Sequence, residues 1–411
     1  MKSFNEKFSA IGKYLAKPTI IIFLICLIFF PANILRERSN PFFQSMHFFN
    51  IDSASWLLAA KDFPYNLNIW KSRPLYPFLI FSVEKIISLF PIEKISETSF
   101  YANKAGNFAT QTLGGLQIKE YISTLISALI LNFILYYASA LIFFTALRKL
   151  KIKLDGALTA AVIYATSLLI LTWIGQPLPQ IFDYFIIAVL FYFYTLYKEK
   201  KFKVSNAELI FATLLCGLFL LVKPFLFIPI TGIIVLTSQK QWFKLFLFLS
   251  LLLLPYLSWY LLLTKFFMIS WYDHSITNDH RVTWLVTSLY QLDFQNILYM
   301  FYISIVNTAN NTAATFFSII IFFVPFKKIQ TPLNYKEISV IFLLFFSMIF
   351  AMEGSAYPRL CFYLFPLIIL FAAQNLISFA NRFNQKNLIL VSFLIIYALI
   401  NYLTMPYLSF S

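Results

Sequence analysis

One stretch of the sequence, residues 51–81, places an acid and several bases between two apolar segments, as IDSASWLLAAKDFPYNLNIWKSRPLYPFLIF. Asp52 lies near the start of a predicted helix, and Lys61, Lys71 and Arg73 follow within about twenty residues. A carboxylate can accept or steer a proton, whereas a guanidinium holds phosphate oxygens in pairs. The spacing therefore predicts a site for a phosphate-bearing substrate, in which the acid moves the proton and the bases hold the phosphate.

Each of the two principal residues also has a simpler interpretation. Asp52 could cap the N terminus of its own helix, because an Asp before an apolar helical run accepts backbone N–H bonds. Arg73, directly before Pro74, could be a cation that flanks a membrane span. Both alternatives stay open at this point.

The same stretch resembles the first extracytoplasmic loop of GT-C glycosyltransferases, through IDSASWLLAA with Asp52 and RPLYPFL with Arg73. Members of that family are polytopic membrane enzymes that take sugars from polyprenyl-phosphate carriers. The resemblance implies that Asp52 is the catalytic carboxylate and that Arg73 lies near the lipid phosphate. Many members carry a second acid beside the first, whereas here Ser53 follows Asp52 and the next acid is Asp62.

The composition predicts a membrane protein with many spans. The chain has 411 residues, of which 60% are hydrophobic and only 12% charged, and this excludes an ordinary soluble domain. Its net charge of +15 comes from short basic clusters between apolar runs, so it indicates membrane topology and not nucleic-acid binding. No linker separates a second domain, and we expect residues 1–411 to form a single integral membrane domain.

The apolar run over 74–90 decides the topology, because counting it as a span would invert every later loop. Glu84 and Lys85 lie near its middle and would cost several kcal/mol at the centre of a bilayer. We therefore expect this run to lie along the outer membrane surface without crossing. The cytoplasmic side then carries 19 Lys and Arg against 5 Asp and Glu, as the positive-inside rule requires.

The predicted fold is an all-α, GT-C-like polytopic transmembrane helix bundle of about eleven spans, in the bacterial cytoplasmic membrane with its N terminus in the cytoplasm. A long first extracytoplasmic loop, over 35–120, carries juxtamembrane helices at 52–61 and 74–90, and a second outer loop covers 265–295. The spans are predicted at 18–35, 121–147, 157–174, 180–197, 207–222, 224–238, 242–264, 297–326, 337–352, 358–380 and 387–404.

Under this topology several polar residues collect at the outer ends of spans, where together they indicate a site. Lys223 precedes Pro224 at an outer span end, and its partner could be a lipid phosphate or a structural carboxylate. Glu353 and Arg359 bracket a short outer hairpin, and a mutual salt bridge is their alternative. The predicted substrate-binding residues are Lys71, Arg73, Lys223, Asp273, His274, His280, Glu353 and Arg359.

The second outer loop contains two acid and His pairs, Asp273-His274 and Asp279-His280. They could contact an acceptor, act as a base or hold a divalent cation, or they could simply belong to a solvated loop. The spacing of six between the His residues matches no recognised metal motif. We therefore predict no metal ligands and no cofactor, with a divalent cation as the one open possibility.

These observations predict a membrane hexosyl- or pentosyltransferase. It would move a sugar from a polyprenyl-phosphate-linked donor to a lipid, glycan or protein acceptor on the extracytoplasmic face. One alternative is a surface-polysaccharide polymerase or ligase, although in such enzymes the large loop usually lies late in the chain. Another is a non-enzymatic transporter or flippase, for which repeats or Gly- and Pro-broken helices are typical.

Overall fold

The computed structural model describes residues 18–32, 51–65, 73–89, 122–167, 170–171, 174–175, 179–199, 205–222, 227–238, 240–269, 287–303, 305–306 and 365–404. Within these ranges the secondary structure is helical and contains no strand, as the composition predicts. The helices are α1 (Pro18–Ala32), α2 (Ile51–Lys61), α3 (Leu75–Ile87), α4 (Ile122–Lys149), α5 (Leu154–Ala165), α6 (Ile181–Glu199), α7 (Asn206–Leu220), α8 (Phe227–Ser238), α9 (Trp242–Leu261), α10 (Phe365–Ala380) and α11 (Lys386–Thr404). A π-helical turn, Leu262–Phe266, continues α9.

Most of the predicted apolar segments form helices close to their expected bounds. The predicted segments at 121–147, 180–197 and 207–222 correspond to α4, α6 and α7. The segment expected over 157–174 differs, because α5 already ends at Ala165. The segment at 337–352 and most of the one at 297–326 lie outside the described residues.

Among the described residues, two helices are long and apolar enough to cross a membrane, Ser123–Lys149 in α4 and Trp242–Phe266 in α9 with its π-helical turn. They are placed differently: α4 lies at the centre of the core, packed against α3, α5 and α6, whereas α9 leaves most of its apolar surface exposed. An amphipathic helix of a soluble protein hides its apolar side, so the exposed surface of α9 fits contact with lipid.

Local sequence signals fix several helix ends. Arg148 and Lys149 occupy the last turn of α4, where positive charge is stabilised by the helix dipole. Ser205 and Glu208 form a capping box at the start of α7: the Glu208 N–H donates to Ser205 Oγ at 3.3 Å, and the Ser205 N–H donates to Glu208 Oε2 at 3.1 Å.

One glycine allows α7 and α9 to approach each other closely. A Cβ atom at Gly217 would lie 2.6 Å from the Leu252 carbonyl oxygen and 2.8 Å from the ring of Pro255. These distances leave no room for a side chain, so the packing of α7 on α9 depends on glycine at this position.

The basic residues at the end of α4 and at the start of α11 lie at one side of the bundle, which we call the basic end. Lys386 Nζ, at the start of α11, lies 3.0 Å from Asp155 Oδ2 at the start of α5. Helix α6 runs parallel to α4, because Phe191 contacts Phe143 nearer the C termini of both helices and Phe182 lies near Asn132 at the opposite side. Helices α4 and α6 therefore both end, and α5 and α11 both begin, at the basic end.

Helix α3 stands alongside α4 and runs antiparallel to it. Near the start of α3, the Tyr76 hydroxyl donates to Asn132 Oδ1 at 3.1 Å. Near its end, Glu84 Oε1 accepts hydrogen bonds from the hydroxyls of Ser123 at 2.5 Å and Thr124 at 2.8 Å. The two contacts are about eight residues, roughly 12 Å, apart on each helix, which requires nearly antiparallel axes.

This orientation differs from the expectation that residues 74–90 lie flat along a surface. The physical reason is that α3 buries an apolar face, formed by Tyr76, Ile80 and Ile87 at helical spacing, and that Glu84 finds two hydroxyl partners on the same helix, α4. A charge that is expensive in isolation is thereby satisfied within the fold.

Candidate functional site

Tyr76 joins four elements at one point of the bundle. Its ring meets Trp56 of α2 edge-on at 5.7 Å and Phe182 of α6 edge-on at 5.9 Å, measured between ring centroids. Its hydroxyl donates to Asn132 of α4, and the Asn132 side-chain amide donates to the Ile174 carbonyl at 3.4 Å. All four side chains of this Tyr76 cluster, Trp56, Tyr76, Asn132 and Phe182, are buried.

The polar atoms of the cluster are satisfied by one another and by the backbone. A buried amide or phenol without a hydrogen-bond partner lowers the stability of the fold. The hydrogen bond between Tyr76 and Asn132 therefore favours one register of α3 against α4. Burial raises the pKa of the Tyr76 phenol well above its ordinary value, an effect that the hydrogen bond to Asn132 only partly offsets.

The segment that carries Arg73 meets the end of α7. The backbone N–H of Leu75 donates to the carbonyl of Leu221 at 3.2 Å. Arg73 precedes Leu75 by two residues, and Lys223 follows Leu221 by two residues, while consecutive Cα atoms are about 3.8 Å apart. Arg73 itself is half-buried. The Arg73 segment thus contacts the chain two residues before Lys223, which itself lies outside the described residues.

Asp52 is the second residue of α2, one helical turn before Trp56. Residues four apart share a side of a helix, so the position of Asp52 is on the side of α2 that meets Tyr76. Its side chain lies outside the described residues. A carboxylate in the first turn is stabilised by the helix dipole, whereas the capping alternative concerns the residue just before the first helical one.

The Tyr76 cluster lies at a common level along three helices. Asn132 precedes Lys149 by 17 residues, about 25 Å along α4, and Phe182 precedes Glu199 by the same number on α6. Leu221 follows Asn206 by 15 residues, about 22 Å along α7. The cluster and the Arg73 segment therefore sit about 22–25 Å from the basic end.

Two further polar residues lie at this level. Asp183, in the first turn of α6 beside Phe182, is only 3% exposed. The side-chain carbonyl oxygen of Gln180 is buried and accepts no hydrogen bond from the part of the chain that the structure describes. A buried carbonyl of this kind suits a hydroxyl donor from a bound molecule.

Helix α2 connects this level to the end of α9. The ring of Phe63 stacks on Trp259 at 5.7 Å and lies 5.5 Å from Phe78 of α3. Ala59 and Leu263 are completely buried where the two helices meet. The predicted juxtamembrane helix is thus confirmed as a helix, and it is held between α3 and α9.

Tyr76 and Asn132 are two site residues that the charge and motif pattern of the sequence does not single out. Asn132 could have been found, because a single amide within the 28 mostly apolar residues of α4 is costly unless it is paired. Tyr76 had no such signal, because aromatic residues are frequent throughout this chain.

The described structure places only part of the predicted site. It describes Arg73 and the backbone of Asp52, and the convergence of the predicted residues in one cavity stays a prediction. The other candidates lie outside the described residues: Lys71, Lys223, Asp273, His274, His280, Glu353 and Arg359. Among the side chains that the structure does describe, no group of three or more His, Cys, Asp or Glu could hold a metal ion.

A scan against protein-family models and searches of curated proteins and of solved structures found no match to this chain.

Proposed function

We propose that this chain is a multi-pass membrane glycosyltransferase. It transfers a sugar from a polyprenyl-phosphate-linked donor to a lipid, glycan or protein acceptor on the extracytoplasmic face. The observation that supports this most directly is the backbone hydrogen bond from Leu75 to Leu221, because it joins the segments that carry Arg73 and Lys223. Two cations on adjacent segments suit a phosphate group.

The position of the site along the bundle supports a lipid substrate. With the basic end in the cytoplasm, a level 22–25 Å away lies near the opposite boundary of a hydrocarbon core of about 30 Å. Trp242 and Trp259 are 17 residues apart on α9, about 25 Å, as expected for aromatic residues at the two membrane interfaces. The phosphate of a membrane-embedded carrier would lie at this boundary.

The start of α3 adds to the attraction for phosphate. The positive end of the helix dipole lies beside Arg73, and the first turn of α3 contains no acid. The Arg73 guanidinium can hold two phosphate oxygens at once, which a Lys ammonium does not do. The phosphate is therefore expected to bind next to the Tyr76 cluster.

The chemistry follows from these positions. The acceptor hydroxyl attacks the anomeric carbon of the sugar, and the bond from that carbon to the phosphate oxygen breaks. Asp52 takes the proton of the acceptor hydroxyl, and the polyprenyl phosphate leaves with the bonding electron pair. Arg73 and Lys223 stabilise the negative charge that develops on the leaving phosphate. The buried carbonyl of Gln180 offers an acceptor for a sugar hydroxyl.

The experiment measures binding of a polyprenyl phosphate to the purified protein in nanodiscs. Arg73→Ala is expected to weaken binding by roughly 10- to 100-fold, because a charge-assisted hydrogen bond contributes about 1.5–3 kcal/mol. Arg73→Lys should lose less than Arg73→Ala, since it keeps the charge but not the paired contact.

The matched control is Lys85→Ala, which removes one cation from the exposed far end of the same helix. It should bind like the wild type. Equal binding by Arg73→Ala, Lys85→Ala and the wild type would contradict the proposal.

A further inference from the structure

A cavity lies on another side of the bundle from the Tyr76 cluster, between α1, α5 and α11. Its volume is about 500 Å³, which is within the range of small-molecule and lipid-chain sites. Asp155 lies at the basic end of this groove and Thr166 at its far end, with Leu158, Thr159 and Val162 between them on one side of α5. The α1–α5–α11 groove therefore runs along the helix axes.

The length of the groove matches one leaflet of a bilayer. Asp155 and Thr166 are 11 residues apart, about 16 Å along α5, and half of a 30 Å hydrocarbon core is about 15 Å. Apart from Asp155 at its end, the α5 side of the groove is apolar or carries only Thr hydroxyls. An extended acyl chain has the matching shape and chemistry.

The groove opens sideways. Ile21 of α1 and Val391, Ile395 and Leu399 of α11 line it, and each is between 42% and 54% exposed. In a bundle that spans the membrane, these side chains face the hydrocarbon region. A lipid chain can therefore enter the groove directly from the bilayer.

The charges at the two ends of the groove differ. At the basic end the groove itself is lined by Asp155 and Asn387. The flanking stretches, residues 148–155 and 381–386, carry six cations and one acid, a net charge of +5. The cations are Arg148, Lys149, Lys151, Lys153, Arg382 and Lys386, and the acid is Asp155. At the far end the described lining is uncharged and includes Phe29, Thr166, Ala398 and Leu399.

We propose that the α1–α5–α11 groove binds one acyl chain of an anionic glycerophospholipid from the cytoplasmic leaflet, with its phosphate headgroup on the basic cluster. Basic pockets between membrane helices on the cytoplasmic side recognise such headgroups. The inference rests on the membrane orientation given above but not on sugar transfer. The groove is also distinct from the donor site, because its cations lie at the end opposite to Arg73.

The test uses nanodiscs with equal amounts of phosphatidylglycerol and phosphatidylcholine, followed by release into detergent and native mass spectrometry. The wild type is expected to retain one phosphatidylglycerol. Ile395→Trp fills the groove and should lower this retention at least tenfold. Ile396→Trp is the matched control, because Ile396 is equally exposed, at 53%, but does not line the groove, and it should retain the lipid.

The headgroup is tested separately. The double variant Lys151→Gln with Lys153→Gln should lose the preference for phosphatidylglycerol over phosphatidylcholine. Lys240→Gln with Lys244→Gln removes two cations from the start of α9, away from the groove, and should keep that preference. If Ile395→Trp does not fold, as judged by its helical circular dichroism, the comparison of the two double Lys variants tests the proposal.

Several results would overturn the proposal. They are equal retention by the two Trp variants, equal retention of both lipids by the wild type, and a preference that survives loss of Lys151 and Lys153. Displacement of the lipid by a polyprenyl phosphate would assign the groove to the donor instead. A dimer that Ile395→Trp dissociates would assign it to a second copy of the chain. Transfer activity is not a readout here, so failure of this proposal and failure of the proposed function are distinguishable.

Discussion

Removing the Tyr76 hydroxyl tests whether the Tyr76 cluster holds α3 on α4. Tyr76→Phe keeps the ring contacts with Trp56 and Phe182 but removes the hydrogen bond that the Tyr76 hydroxyl donates to the buried Asn132 side-chain oxygen. An unsatisfied buried acceptor costs about 1–3 kcal/mol, and hydrogen bonds inside membrane proteins average about 0.6 and reach about 1.7 kcal/mol. We expect Tyr76→Phe to lower the free energy of unfolding by about 1 kcal/mol.

A double-mutant cycle separates this bond from general packing effects. Asn132→Leu keeps the volume of the side chain but removes the acceptor, and it also removes the donor to the Ile174 carbonyl. The double variant leaves neither the phenol nor the amide unsatisfied. Its loss in the free energy of unfolding should therefore be smaller than the sum of the losses for the two single variants, by about 0.6–1.7 kcal/mol.

The assay is reversible unfolding in mixed detergent and denaturing surfactant, followed by helical circular dichroism. Tyr290→Phe is the control, because Tyr290 is almost fully exposed, and its effect should stay within about 0.5 kcal/mol. Strictly additive losses for Tyr76→Phe and Asn132→Leu would refute the role of this hydrogen bond.

Three further predictions concern the surrounding structure. Glu84→Gln should lower the free energy of unfolding only slightly, because the amide oxygen of Gln still accepts from the hydroxyls of Ser123 and Thr124. Glu84→Ala should lower it by about 1–3 kcal/mol in the same assay. Equal losses for the two variants would contradict this contact. Gly217→Ala should lose about 1–3 kcal/mol, since its Cβ would lie 2.6 Å from a carbonyl of α9, and wild-type stability would show that the helices are not so close. A cysteine at residue 107 should react with a membrane-impermeant maleimide on intact cells, and labelling only after lysis would invert the topology.

Much of the helical framework could be predicted from the sequence, because long apolar runs bounded by basic clusters specify helices almost by themselves. Helices α4, α6 and α7 begin and end within a few residues of their predicted bounds. The orientation of α3 could not be predicted in this way. It depends on which partners satisfy Glu84 and which surfaces cover Tyr76. The partners of Glu84 belong to α4, about forty residues further along the chain, and Tyr76 is covered by α2, α4 and α6.

The candidate site could likewise be predicted only in part. Charge and helical position indicated Arg73, Lys223 and Asp52 as one group. The contact of Leu75 with Leu221 places the Arg73 segment against the end of α7, and the grouping of the three residues stays a prediction. The sequence carried no sign that Tyr76 would connect α2, α4 and α6, because pairwise contacts between distant apolar segments are set by three-dimensional packing. Asn132 was detectable as a costly polar residue, but its partner was not.

The most direct measurement is sugar transfer by Asp52→Asn from a polyprenyl-phosphate-linked donor. The substitution keeps the size of the side chain and removes its charge and basicity. In the first turn of α2 it should change stability by no more than about 1 kcal/mol, whereas loss of a general base lowers the rate about 10²- to 10⁴-fold. The proposed function therefore predicts a folded protein with transfer reduced by at least two orders of magnitude. Wild-type transfer by Asp52→Asn would contradict the assignment of Asp52 and direct attention to Asp183, Asp62, Asp273 or Glu353.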